Sequence, residues 1–262
     1  MSLLNQTTMP AIFFGHGSPG NILEDNTATQ LWQSIGKEFP KPKGIICISA
    51  HWYTDGTAIT SMEKPKTIHD FGGFPQAMYE MQYPAPGSLE LASKLSSILA
   101  EEDAQLNSSW GFDHGTWCVL SKVFPKADVP VVQLSMDHTK DMAYHFRVGQ
   151  KIAQLRNEGY WVIGSGNIVH NLGVMDWNKR NMTFDWAQRF GDYIRDAISN
   201  DTPENIINYL DFGAEAQKSV PHPDHFIPLL YVLGARLSDD TYRFETTYAE
   251  YGSLDMTTII FN

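Results

Sequence analysis

The residues best suited to chemistry in this chain are nine histidines, at positions 16, 51, 69, 114, 138, 145, 170, 222 and 225. Imidazole is the commonest protein metal ligand, and it can take up and return a proton near neutral pH. Four of the nine recur in one kind of place. His16 ends the apolar run "AIFFGH" and His51 ends "GIICISAH", while His170 follows "YWVIGSGNIVH" and His225 opens "HFIPLLYVLGA". Separate strand ends can converge on one pocket, where such histidines would share a metal ion. Any one of them taken alone could equally hydrogen-bond its own loop.

The other five divide by context. His114, in "WGFDHGTW", stands at a helix start with Asp113 as its cap, a position suited to proton transfer or to donation to a substrate oxygen. His69, in "TIHDFGG", lies in an aromatic loop and could touch substrate. His138 and His145 fall on or beside a polar helix ("DHTKDMAYHF") and read as structural or solvated. His222 precedes His225 by three residues, but Pro223 implies that a helix begins between them and that they point apart. Other chemistries lack their motifs. There is no Walker A sequence, and "GSGNIV" misses the third glycine of a dinucleotide fingerprint. "HGSPG" misses the first glycine of a nucleophile elbow around Ser18. Cys118 sits among Trp117, Val119 and Leu120 and reads as core.

The elements that must position these histidines are legible in outline. Apolar, β-branched runs at "AIFF", "GIICISA", "VPVVQLSM" and "YWVIGSG" read as strands. Between them, helical spacing covers about 27–38, 88–100, 115–124, 140–157 and 184–199. Strands alternating with such helices predict one α/β domain over residues 1–262, with a mainly parallel central sheet flanked by helices. The segment "TYRFETTYAEYGSLDMTTIIF" adds a C-terminal strand pair, and "TIHDFGGFPQAMYEMQYPAPG" reads as a long ordered loop beside the site. In such sheets functional groups collect where strands end.

Composition narrows the partners. A net charge of −11, with no dense Lys/Arg cluster, argues against nucleic acid and anionic membranes. "MSLLNQTTMP" has no basic start or apolar stretch of a signal peptide, and no apolar run approaches the ~18 residues that cross a bilayer. Cys47 and Cys118, each in an apolar segment, read as buried thiols. The expectation is a cytoplasmic protein; a homo-oligomer is left open.

The motifs "FFGHGSP", "ISAHW", "TIHDFGGFP", "YPAPG", "WGFDHGTW", "SGNIVHN" and "HPDHFIPLLYVLGA" run in order from Pro10 to Ala235. Together they resemble the bacterial and plant DOPA 4,5-dioxygenases, a branch of the class III extradiol ring-cleaving dioxygenases. The resemblance implies one divalent metal ion and cleavage of a small catechol such as DOPA by O2 to a semialdehyde. By motif, His16 and His51 would be metal ligands, His170 the acid–base histidine and His114 a second one near substrate. The wider class completes its triad with a glutamate; here "PHPDHF" offers His225 as the third ligand, with Asp224 and His222 as rivals. Three imidazoles also form a catalytic zinc pattern, so the ion is Fe(II) or Zn(II). Phe71, Phe74, Trp52 and Tyr83 would wall the ring. A zinc-dependent hydrolase and a non-enzymatic binding protein on the same fold are the alternatives.

Overall fold

In the computed structural model, which describes residues 8–262, the first apolar run forms strand β1 (Ala11–Gly15), buried at every position. Its side chains alternate, with Ala11 and Phe13 in one hydrophobic cluster and Ile12 and Phe14 in another. Strand β2 (Gly44–Ser49) divides in the same way, Ile46 and Ile48 against Ile45 and Cys47. A strand covered on both faces has no polar side, which is why these segments read as unbroken apolar runs.

Among the described residues the main sheet has six strands, completed by β3 (Val131–Gln133), β4 (Tyr160–Gly166), β5 (Tyr242–Glu245) and β6 (Thr258–Phe261). Their spatial order is β3-β2-β4-β1-β6-β5. The first four run parallel. β6 pairs antiparallel with β1, and β5 with β6, so the expected C-terminal strand pair is the antiparallel edge of the same sheet.

Helices cover both faces. α1 (Thr27–Glu38) has the bounds its sequence predicts, because Asn26 and Thr29 cap its start reciprocally: each side chain accepts from the other's backbone N–H. α2 (Leu89–Ile98) and α3 (His114–Val123) begin at the caps Ser88 and Asp113. α4 (Met142–Ile152) begins at Asp141 and tightens into a 3-10 turn over Ala153–Glu158, so it is shorter than the predicted helix. α5 (Asp185–Ser199) and α6 (Ile227–Gly234) follow. Trp32 of α1 and Trp117 of α3 pack on the face carrying Ile12 and Phe14; Leu91, Val148 and Leu229 pack on the other. The aromatic segment is irregular as expected, except for a short helix at Gln76–Glu80. Cys47 and Cys118 are buried free thiols. No helix among the described residues is long and apolar enough to cross a membrane.

Candidate metal centre

The carboxyl ends of β1, β4 and β2 lie side by side, with Phe14 and Ser49 both in register with Ser165 of the central strand. His16 follows β1 directly, and its N–H donates to the Gly166 carbonyl at 3.1 Å. Gly17 then takes a left-handed φ of +58°, which turns the chain away from the sheet. His51 follows β2 by two residues, anchored where the Ala50 N–H donates to the Ser165 carbonyl at 3.0 Å. His225 arrives from a different direction, in the 3-10 turn Pro223–His225 that precedes α6. Its carbonyl accepts from the Asn167 N–H at 2.8 Å and lies directly over Gly166, where a Cβ would come within 2.2 Å of it. Residue 166 must therefore be glycine for His225 to reach the strand ends.

Ring donor atoms of His16, His51 and His225 all lie within 4.8 Å of one another. The Nε2 atoms of His16 and His51 face each other at 3.4 Å. The rings of His16 and His225 are held from outside through Nδ1, and a carboxylate stands near that of His51. The Ser165 hydroxyl donates to the Gly115 carbonyl at 2.6 Å, so it accepts from His16 Nδ1 at 2.9 Å. Asp224 Oδ1 accepts from both the backbone N–H and Nδ1 of His225, at 2.7 and 3.0 Å. Asp70 Oδ2 lies 3.7 Å from His51 Nδ1. Outer partners of this kind fix the tautomer and leave the other nitrogen free for a metal. Burial, reinforced by neighbouring imidazoles, holds His16 and His51 well below the usual histidine range and His225 at about 4. The Nε2 atoms of His16 and His51 thus face each other across a short gap, where one ring's N–H can donate to the other or a shared cation can take both lone pairs. The donor set suits a divalent ion. Of the rival ligands, Asp224 is occupied with His225, and the His222 side chain is 67% exposed.

A second cluster adjoins the first. Asp70 grips His114 twice: Oδ1 accepts from its backbone N–H at 2.8 Å, and Oδ2 sits 3.0 Å from Nδ1. Burial alone would raise the Asp70 pKa, but the His114 contact and the charge of His51 outweigh it and the net shift is downward. The cap Asp113 is fully buried, accepting from Ser49 Oγ at 2.5 Å, Gln133 Nε2 at 2.7 Å and the Thr116 N–H at 3.1 Å. It therefore ties the start of α3 to the end of β2. His170 packs against His225, and burial pushes its pKa down to about 4.

These five histidines line one cavity of about 320 Å³, together with Phe74, Leu172, Met175, Trp177, Leu254 and the turn Gly17–Pro19. That volume lies at the lower end of the range that holds small molecules. Of the expected wall residues, Phe74 lines it, and Phe71 stands one layer behind with its edge on Phe74 and His114. Three others are placed elsewhere. His69 turns away, its Nε2 donating to the Met81 carbonyl at 2.9 Å. Trp52 is buried in a stack on Trp110, and Tyr83 is buried with its hydroxyl donating to the Phe124 carbonyl at 3.1 Å. The apolar lining comes instead from the loop after His170, whose "NLGVMDW" carries apolar residues without periodicity. Asp70 also escaped the sequence reading; its only signal was its place beside His69. His145 is buried against the Tyr231 hydroxyl at 3.0 Å, and His138 is exposed.

A larger cavity of about 620 Å³ contains none of these histidines. Lys37 and Lys122 on its wall stand in the last turns of α1 and α3, where a cation complements the helix dipole, and Lys41 pairs with Asp128.

Fold and site together define an α/β protein with a histidine centre at the carboxyl ends of its parallel strands. The chain belongs to the family described as the catalytic LigB subunit of aromatic ring-opening dioxygenase, whose model matches residues 10–261. It is 46% identical over 261 residues to 4,5-DOPA dioxygenase extradiol of Escherichia coli (strain K12), covering 98% of this chain and 96% of that protein. It is 36% identical over 237 residues to the protein of the same name from Portulaca grandiflora, covering 86% and 85%. The crystal structure of an uncharacterized Escherichia coli K12 protein matches with a TM-score of 0.85 and 42% identity, over 97% of this chain and 100% of that one. The protein is thus an enzyme of the extradiol ring-opening dioxygenase class, and the hydrolase and binding-protein alternatives fall away.

Proposed function

We propose that this enzyme opens the ring of a catechol beside its two hydroxyls, consuming O2 and releasing a semialdehyde. One divalent ion, Fe(II), would be held by His16, His51 and His225, with Zn(II) able to compete for the same donors. DOPA, named in the relatives above, is the reference substrate. The observation that carries the reading is the convergence of three outward-anchored imidazoles beside two further ones on a single cavity wall. Such an ion supplies Lewis acidity toward the catechol oxygens and a route for electrons to dioxygen.

The chain's own residues supply the proton chemistry and the enclosure. Burial holds the His170 pKa at about 4, so its ring is unprotonated at neutral pH, and it would take a catechol hydroxyl proton only once a bound ion had lowered that hydroxyl's own pKa. His114, whose backbone N–H donates to Asp70 Oδ1, presents its ring to the cavity as the second histidine near substrate. Phe74 and Leu254 add apolar surface to the cavity wall.

The test is anaerobic loading with Fe(II), followed by an oxygen electrode and absorbance record as DOPA or a related catechol is added. Oxygen uptake with a yellow product is expected from the iron form and not from the zinc form. Fully iron-loaded protein that consumes no oxygen with any catechol would overturn the proposal.

A further inference from the structure

The contacts around Asp70 leave one buried nitrogen unexplained. His114 is 7% exposed, and its Nδ1 makes no hydrogen bond among the described residues, although Asp70 Oδ2 stands only 3.0 Å away. His51 Nδ1 lies 3.7 Å from the same oxygen, and the His51 and His114 rings have centroids 3.8 Å apart. Ligand atoms of His51, Asp70 and His114 all fall within 4.8 Å of one another, as do those of the three-histidine set. On a tetrahedral ion with bonds of about 2.0–2.1 Å, neighbouring ligand atoms are about 3.4 Å apart. Two ring nitrogens at 3.0 and 3.7 Å from one carboxylate oxygen bracket that spacing.

We propose that His51, Asp70 and His114 form a second, outer position for a divalent ion, zinc foremost, which competes with the inner position for His51. Two imidazoles and one carboxylate are a donor set that both zinc and iron accept. The set also brings the negative charge that His16, His51 and His225 lack. The His51 and Asp70 side chains are 19% and 22% exposed, so water can complete the coordination and the ion exchanges with solvent. A neutral imidazole has one lone pair, so His51 serves one ion at a time. An ion in the outer position therefore takes a ligand from the inner one and occupies His114 as well, withdrawing two histidines at once. The proposal rests on the assignment of His51 as a ligand in the reading above, and uses nothing of ring opening.

Equilibrium dialysis of zinc against His16→Ala, in which the inner set is broken, isolates the outer position. One zinc per chain is expected at saturation, exchanging fast enough that the gel-filtered variant carries no stoichiometric metal. On that background Asp70→Asn keeps an oxygen for the His114 N–H and puts a neutral amide in place of the second oxygen. It should weaken zinc binding by at least about tenfold, and His114→Phe should do the same. A cooperative urea transition shows that each variant is folded, and either folded variant decides the matter. No zinc bound by His16→Ala at about 1 mM free ion, or binding unmoved by either substitution in a folded chain, would overturn the proposal. Zinc binding needs no turnover, so a failure of ring opening leaves this result standing, and a missing outer position leaves the ring-opening reading untouched.

Discussion

The imidazole of His170 lies flat on that of His225, with ring centroids 3.5 Å apart and planes inclined by 2°. At that separation two imidazolium charges would repel strongly, which disfavours both rings being doubly protonated at once. A cation bound at His225 would bias its neighbour further toward the free base. The stack therefore places the proposed proton acceptor flat against a proposed ligand.

Replacing that acceptor separates packing from proton transfer. His170→Phe keeps a flat ring on His225, whereas His170→Ala removes it. Both variants should retain the metal by elemental analysis, and both should lose turnover by about 10²- to 10⁴-fold, the usual contribution of a general acid–base group. Wild-type turnover in His170→Phe would show that the ring acts by packing alone.

The outer hydrogen bonds should tune metal affinity. Ser165→Ala releases Nδ1 of His16, and Asp224→Asn weakens the hold on His225. Each should weaken metal binding by about 10- to 100-fold, the effect typical of such partners. Competition against a chromogenic chelator gives the constants. His16→Ala should abolish stoichiometric metal; full metal content in that variant would contradict the ligand assignment.

Acid should unfold the metal-free protein early. His170 and His225 are held by burial at about 4 against an ordinary 6.5, His16 and His51 are lowered too, and His145 is held at about 4 outside the site. As pH falls from about 6.5 to about 4, the unfolded chain binds protons that the folded one refuses, so stability drops across that window. It is fully present above the window, and carboxylates with lowered pKa, Asp224 at about 2 among them, continue the loss below it. Thermal unfolding of the metal-free protein from pH 8 to 4 should show a flat region and then a steep fall, and His170→Phe should make that fall shallower. A melting temperature independent of pH between 6.5 and 4.5 would refute this.

The Gly166→Ala substitution tests the approach of His225 to the sheet. Its Cβ would meet the His225 carbonyl at 2.2 Å, a backbone obstacle that no side-chain rotation relieves. A loss of about 1–3 kcal/mol in stability is expected, together with weakened metal binding. Gly72, where an added Cβ meets nothing within 4 Å and φ is not positive, provides the control, and Gly72→Ala should unfold like the parent in urea.

Much of the centre was legible because parallel strands all end on one side of their sheet, so a histidine after each apolar run marks one shared rim. His16 and His51 follow that logic directly, and α1 was readable to the residue because Asn26 and Thr29 announce its start. The supporting carboxylates were not. Asp70 comes to His114 from a loop distant in sequence, and nothing local marks that partnership. Trp52 follows His51 in sequence, yet the turn after β2, closed where the Trp52 N–H donates to the Ser49 carbonyl, carries its ring to a stack on Trp110. The cavity mouth escaped notice because Leu172, Met175 and Trp177 sit in a loop whose apolar residues obey no period.

The antiparallel seam between β1 and β6 has a consequence for how the protein matures. Residues 258–261 are zipped against residues 11–15, the strand that His16 completes. During synthesis the rim beside His16 stays open until residues 258–261 have left the ribosome. Nascent chains arrested before that point should therefore be unable to hold the proposed ion.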